Sequence, residues 1–332
     1  MVSEMEDHRH FPEIESPPGP STKDYIKQTW KQGYAIVKNF VDILVEPFYA
    51  LFQSFWPDAL DDNVKPYAIE QYYHPGGDCK TGILLVHGFG AAPDIYKDFI
   101  EKLGSLGYVV KTVRIAGHGT STAHFASTTL VDWYLSVRER FIELKEECED
   151  VVIIAHSLGS LISMILASIY EVKALVFLSP PVKLRDKALY KVNFMLRPVS
   201  KLVKYWPTDK EGIRHVEKHG FKIYDKHPLS AVANLIDMIE MANRRLPYVT
   251  APILAIIGDQ DEFAETNVLD IIEEKAGSQI VQKWIAKGAP HAIIECADFE
   301  TLKDKLKTFI LAYCPPRREV GEITRKQEAI ES

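Results

Sequence analysis

The most constraining stretch of this 332-residue chain is residues 151–170, VVIIAHSLGSLISMILASIY, which carries no Asp, Glu, Lys or Arg. About 20 uncharged residues is the length of a membrane span. His156, Gly159 and several serines argue against a hydrocarbon environment, and the first five residues are β-branched or small. A buried strand, a sharp turn and a buried helix account for the segment better. The turn, Ala155-His156-Ser157-Leu158-Gly159, matches Gly-x-Ser-x-Gly with Ala in place of the first Gly. A Ser held in such a strained turn needs small residues two before and two after it, where backbones crowd. A helix beginning at Ser157 would also set backbone N–H groups and a positive dipole end beside a developing oxyanion. A serine in an ordinary strand–helix turn fits the pentapeptide too, so the rest of the chain has to decide.

The flanking sequence sets that turn in a regular alternation. Residues 67–73 (YAIEQYY) alternate like a strand, 83–88 (ILLVHG) read as a buried strand ending in a turn, and 108–115 (YVVKTVRI) read as another strand. Further strands are predicted over 150–155, 174–179, 252–257 and 280–285, with helices over 94–106, 129–147, 157–170, 264–275 and 297–312. Strands alternating with helices predict an α/β fold, a mostly parallel sheet flanked by helices on both faces. Its core spans 66–180 and 248–314. Between them, 181–247 breaks the pattern; it is basic in its first half and helical in period, and reads as a cap insertion over the sheet.

The ends differ in kind. Residues 1–22 are polar and proline-rich and predict a disordered tail, and 315–332 predict a charged tail. In the N-terminal segment 23–65, Ile26, Trp30, Tyr34, Val37, Val41, Leu44 and Phe48 recur every three or four residues, with lysines between them. That pattern predicts an amphipathic helix, kinked or ended at Pro47 and followed by a run rich in aromatics. Packing on the main body, docking on a membrane interface through residues 24–57, and self-association into an oligomer all fit it.

Bulk properties narrow the function classes. A net charge of −7 gives no electrostatic reason to bind nucleic acid. The four cysteines, Cys79, Cys148, Cys296 and Cys314, are widely spaced and suggest neither a metal site nor a disulfide framework. Reduced thiols and an acidic N-terminus without a signal pattern predict a cytoplasmic protein, peripherally membrane-associated if 24–57 docks.

Three further motifs sit at predicted strand ends. Residues 84–90, LLVHGFG, end the first buried strand. In acyl-transfer sites one oxyanion donor comes from such a loop and the other from the residue after the nucleophile, which here are the backbone N–H groups of Phe89 and Leu158. His87 reads as a brace for that loop. After a late strand, Gly258-Asp259-Gln260-Asp261-Glu262 offers three carboxylates. Asp261 is the one placed a few residues past the strand end, on a loop facing the site, while Asp259 and Glu262 read as solvated or turn-capping. Finally, Lys287-Gly288-Ala289-Pro290-His291 forms a loop able to aim an imidazole at Ser157.

From about residue 66 to 313 the chain resembles bacterial carboxylesterases and monoacylglycerol lipases of the α/β-hydrolase superfamily. The matching residues are HGFG at 87–90, RIAGHGTS at 114–121, AHSLG at 155–159, GDQD at 258–261 and PHA at 290–292. Family members often carry Asp where this chain has Arg114, a departure that touches packing around the Gly117-His118-Gly119 turn. The resemblance implies a triad of Ser157, Asp261 and His291, and an acyl-enzyme route for a small-molecule ester of short or medium chain, a monoacylglycerol among the candidates. It implies no cofactor and no metal. Within the insertion, Phe194, Met195 and Trp206 are candidates for lining an acyl pocket, and equally for packing the cap's own core. An acyltransferase on the same scaffold, or a binding protein retaining the fold, stands as the alternative.

Overall fold

In the computed structural model, which describes residues 60–207, 222–295 and 299–317, the elements alternate. The first half of the chain contributes β1 (Tyr72–Tyr73), β2 (Thr81–Val86), α1 (Lys97–Ser105), β3 (Val109–Val113), α2 (Thr122–Ser127), α3 (Leu130–Glu147), β4 (Asp150–His156) and α4 (Leu158–Ala167). The second half contributes β5 (Ala174–Leu178), α5 (Ala188–Val199), β6 (Tyr205–Pro207), β7 (Lys226–Pro228), α6 (Leu229–Arg245), β8 (Ile253–Gly258), α7 (Val268–Lys275), β9 (Val281–Ala286) and α8 (Phe299–Tyr313). The sheet order is β1-β3-β2-β4-β5-β8-β9. All neighbours are parallel except β1, which runs antiparallel to β3.

The continuous apolar runs follow from burial on two faces. Leu84, Val86, Ile153, Ala155 and Phe177 face a core built with α3, α4, α6 and α7. Their neighbours Ile83, Leu85, Val152, Ile154 and Val176 face a second core built with α1 and α8. Fully burying a side chain such as Phe141 or Phe177 contributes roughly 1.5–3 kcal/mol. At the start of α3, Thr129 and Asp132 form a reciprocal capping box that fixes where the helix begins. Register then aligns the strand ends. Ala155 lies opposite both Val86 and Phe177, and Leu178 opposite Ile256. The loops after β2, β4, β5 and β8 therefore leave one edge of the sheet together, where ligands bind in open α/β sheets.

The uncharged run at 151–170 is β4, an elbow and the ten-residue α4, buried as far as Ala167, with Ile169 exposed beyond the helix end. Among the described residues no helix is long and apolar enough to cross a membrane.

Several expectations shift in detail. Of the strand predicted over 67–73, only Tyr72–Tyr73 pairs, and Pro66–Ala68 forms a short 3-10 helix. Residues 60–65, at the end of the segment predicted to be helical, are irregular and tied to the core by the Lys65 N–H bond to Gly119 O at 2.9 Å. The pattern over 24–57 and the tail 1–22 lie outside the described residues. So does most of the charged tail, although Arg317 O accepts the Lys80 N–H and its guanidinium pairs with Asp150. The insertion is not uniform. The helix α6 packs on α4 and buries Ala231, Met238 and Ile239 in the main core, whereas α5 packs chiefly on α6, with Tyr190 reaching the main core and most of its described side chains partly or fully exposed.

Candidate active site

Ser157 sits between β4 and α4 with φ 50° and ψ −116°. A non-glycine residue there stores about 1–3 kcal/mol of backbone strain. The surroundings hold it in place: the Ser157 N–H donates to Leu178 O at 2.9 Å, and the Ser160 hydroxyl donates to Ala155 O at 2.8 Å. The small residue two positions on has a steric cause. A Cβ on Gly159 would come within 2.5 Å of Val86 O and 2.6 Å of His87 O. Leu158 is the first residue of α4, where a backbone N–H has no intrahelical partner.

The loop after β2 approaches Ser157 from the side. A Cβ on Gly88 would lie 2.8 Å from His156 Nδ1 and 3.0 Å from Ser157 Cβ, so glycine lets the Phe89 backbone come alongside the elbow without displacing either side chain. His87 braces this loop. Its Nε2 accepts the Ile115 N–H at 3.1 Å, which leaves Nδ1 to donate to Gly88 O at 2.9 Å. Burial pushes the His87 pKa down to about 4, so the ring is a neutral structural element. The Phe89 side chain turns inward, onto Phe125, Trp133 and His118.

His291 connects the remaining parts. Its Nε2 lies 2.9 Å from Ser157 Oγ and its Nδ1 2.8 Å from Asp261 Oδ2. The two ring nitrogens thus face the hydroxyl and the carboxylate at once, with Nδ1 donating to Asp261. Asp261 is enclosed, and its Oδ1 accepts backbone N–H groups from Phe263 at 2.9 Å and Ala264 at 2.8 Å. Burial works to raise its pKa. The His291 hydrogen bond and charge, with the two amides, outweigh burial and hold the carboxyl below its ordinary value. Of the other two carboxylates, Asp259 accepts the Gly288 N–H at 2.6 Å and Glu262 the His291 N–H at 3.1 Å. They tie the acid loop to the histidine loop and do not reach the imidazole.

The structure brings Ser157, Asp261, His291 and the Phe89–Leu158 pair to one place. It does not bring Phe194, Met195 or Trp206 into an enclosed pocket or into the core of the insertion. These three are 77%, 49% and 48% exposed. For Phe194 and Met195, both on α5, the reason is that this helix meets α6 through polar side chains. Asn193 bonds Asp237 at 2.9 Å, and Arg197 pairs with the same carboxylate, so neighbouring apolar residues point outward. Among the described residues no cluster of His, Cys, Asp and Glu could hold a metal ion.

Some neighbours carried no sequence signal. Arg185 donates to Asp261 O at 2.8 Å and buttresses the acid loop. His156 bonds His291 O at 3.0 Å, and Phe263 packs edge-on against the His291 ring at 4.9 Å. From the insertion, Tyr224 reaches the Gly117-His118-Gly119 turn. Its hydroxyl donates to Gly117 O at 2.8 Å and accepts the Thr120 N–H at 3.1 Å.

A family model described as Hydrolase_4, serine aminopeptidase (S33), matches residues 77–296. The thermostable monoacylglycerol lipase of Bacillus sp. (strain H-257) is 25% identical over 204 residues, 61% of this chain and 78% of that one. The monoglyceride lipase of Homo sapiens is 24% identical over 246 residues, 68% and 80% of the two chains. The carboxylesterase of Bacillus subtilis (strain 168) is 22% identical over 211 residues, 63% and 83% of the two chains. Among solved structures, the Paleococcus ferrophilus monoacylglycerol lipase shares the fold with a TM-score of 0.62 at 17% identity, covering 74% of this chain and 98% of that one.

Proposed function

The chain belongs to the Hydrolase_4 family of α/β-hydrolases, and within it we propose that this protein is a serine carboxylic-ester hydrolase working through an acyl-enzyme. The observation that carries the reading is the continuous relay from Ser157 Oγ through His291 to Asp261, at 2.9 and 2.8 Å. In the cycle, His291 Nε2 takes the Ser157 proton as Oγ attacks the ester carbonyl. The Phe89 and Leu158 amides receive the oxyanion, each contributing on the order of 3 kcal/mol in the transition state. His291 returns the proton to the leaving alcohol, and water then repeats the sequence on the acyl-enzyme. Asp261 keeps Nδ1 protonated and Nε2 free to act as base. The lipase and carboxylesterase names of the relatives support a carboxylic ester as the substrate, and the proposal extends to short- or medium-chain acyl groups, monoacylglycerols among them.

Hydrolysis of p-nitrophenyl esters of increasing chain length by wild type and Ser157→Ala tests this. Turnover by wild type alone supports it, and the length profile sizes the acyl site. A wild type inert toward every ester, yet active on amino-acid p-nitroanilides, overturns it in favour of the peptidase activity in the family's description. Transfer to added alcohol in preference to water would make the protein an acyltransferase.

We further propose that the enzyme works at a lipid surface. Support comes from the aromatic and lysine pattern over 24–57, and from exposed Phe194, Met195, Leu202 and Trp206 in a stretch, 187–207, with lysines and no Asp or Glu. Co-sedimentation with anionic liposomes is expected to fall on deletion of residues 1–60. Failure of the intact chain to bind such liposomes rejects the idea.

A further inference from the structure

His227, the middle residue of β7, reaches from the insertion onto the loop beside Ser157. Its ring lies 5.2 Å from that of Phe89, and its Cε1 would stand 3.1 Å from a Cβ on Gly90. The same loop touches Ser157 through Gly88, so three consecutive residues span from the nucleophile to this imidazole. The position is well fixed. Tyr224, three residues earlier, is bonded to Gly117 and Thr120, β7 pairs His227 with Trp206, and α6 starts two residues later.

One feature of this imidazole is out of keeping with a packing role. Its Nδ1 is enclosed and has no hydrogen-bond partner among the described residues. Buried polar atoms are almost always paired, since an unpaired one is destabilising. Phe or Leu would cover Phe89 without that penalty. Burial also lowers the His227 pKa to about 4, so at neutral pH the ring is uncharged, with one nitrogen to donate and one to accept. A hydroxyl has the matching pair of capacities.

The bond inventory of an ester in this site leaves one vacancy of that kind. The carbonyl oxygen goes to the Phe89 and Leu158 amides, and the ester oxygen receives its proton from His291. The acyl chain offers no hydrogen bond. Resting on the ester-hydrolase reading above, we propose that His227 binds a hydroxyl of the alcohol half of the substrate, and so selects esters of polyols over esters of simple alcohols.

The test compares wild type, His227→Phe and His227→Asn in the full chain, on a 1-monoacylglycerol and on the methyl ester of the same fatty acid. For His227→Phe, kcat/KM on the glycerol ester is expected to fall about tenfold, mainly through KM, with the methyl ester changed less than twofold. His227→Asn, whose amide can stand near Nδ1, is expected to recover most of the loss. Parallel losses on both esters would show a purely structural brace and overturn the proposal, as would no loss on either. A wild type that hydrolyses neither ester removes the ester-hydrolase reading and this inference with it. Turnover of both esters with no discrimination by the variants removes this inference alone. A second measurement is independent of how the His227 variants fold. In Ser157→Ala, the His227 ring 15N resonances are expected to shift with a non-hydrolysable monoalkylglycerol ether and not with the matching methyl ether. Equal response to both, or to neither, rejects the proposal.

Discussion

Gly159→Ala adds a single methyl group where the first turn of α4 meets the end of β2. That Cβ would lie 2.5 Å from Val86 O and 2.6 Å from His87 O, whereas real Cβ contacts essentially never fall below 3.0 Å. Both obstacles are backbone atoms, one at the end of a central strand and the other at the start of the loop that leads to Phe89. The start of α4 must therefore retreat by at least the difference, 3.0 minus 2.5, or 0.5 Å. The Leu158 amide and Ser157 Oγ move with it. A misplacement of about 1 Å can reduce a rate about 100-fold, so this displacement should lower kcat by roughly 10- to 100-fold with KM little changed. Forcing a methyl into a filled space destabilises by about 1–3 kcal/mol. Helix propensity acts in the opposite direction, since Ala is favoured over Gly by about 1 kcal/mol within a helix. Steady-state kinetics on a p-nitrophenyl ester, with urea unfolding of both chains, reads the two effects. A Gly159→Ala protein with unchanged kcat and equal or greater stability would refute the close-approach argument, because propensity alone would then account for the result.

Asp261→Asn leaves the shape of the acid loop intact but removes the charge that holds the His291 tautomer, and kcat is expected to drop by about 10⁴; a drop below tenfold would reject Asp261 as the orienting group. Acid should weaken the fold through buried histidines. His87, His156 and His227 are pushed by burial from 6.5 down to about 4, so between those values the unfolded chain binds more protons and stability falls as pH falls. Each contributes at most about 1.4 kcal/mol per pH unit, full stability being reached above pH 6.5, and urea midpoints at pH 7 and pH 5 check it; a flat profile contradicts it. The carboxyl of Asp261, held low, contributes stability that is present above its ordinary 3.8 and disappears as pH falls through its lowered pKa. Acid denaturation below that point should therefore be blunter in the Asn variant. Arg185→Met removes the donors to Asp261 O and Ala264 O; a loss of about 1 kcal/mol in unfolding free energy and a kcat reduced by less than tenfold are expected, and no change in either would deny it the buttressing role.

What could be read in the sequence was local, and what could not was set by contacts across long separations. The elbow is legible because strand, strained turn and helix are contiguous, and the small residue at 159 marks where backbones collide. Asp261 could be preferred over Asp259 and Glu262 from its place on the loop, yet only the fold shows the other two carboxylates occupied by backbone N–H groups. Helical period marked α5 as a helix without saying which side it buries. Its partner Asp237, on α6, takes Asn193 and Arg197, and this turns Phe194 and Met195 outward. Alternation over 67–73 overstated β1, because the ladder with β3 covers Tyr72 and Tyr73, Gln71 adds one backbone bond from Thr112, and Pro66–Ala68 turns into a 3-10 helix. Arg185, Tyr224 and His227 carry no local pattern at all. Each is defined by a residue tens of positions away in the chain.

Ester hydrolysis by this route passes through a covalent intermediate at one hydroxyl, that of Ser157. Intact-mass spectrometry of the protein treated with an alkyl fluorophosphonate, followed by peptide mapping, examines that hydroxyl directly. One adduct per chain on the peptide containing Ser157 is expected, with none in a folded Ser157→Ala protein and strongly slowed labelling in His291→Ala. Labelling at another residue, or an unmodified wild type that remains folded, would contradict the assignment of Ser157 as the nucleophile.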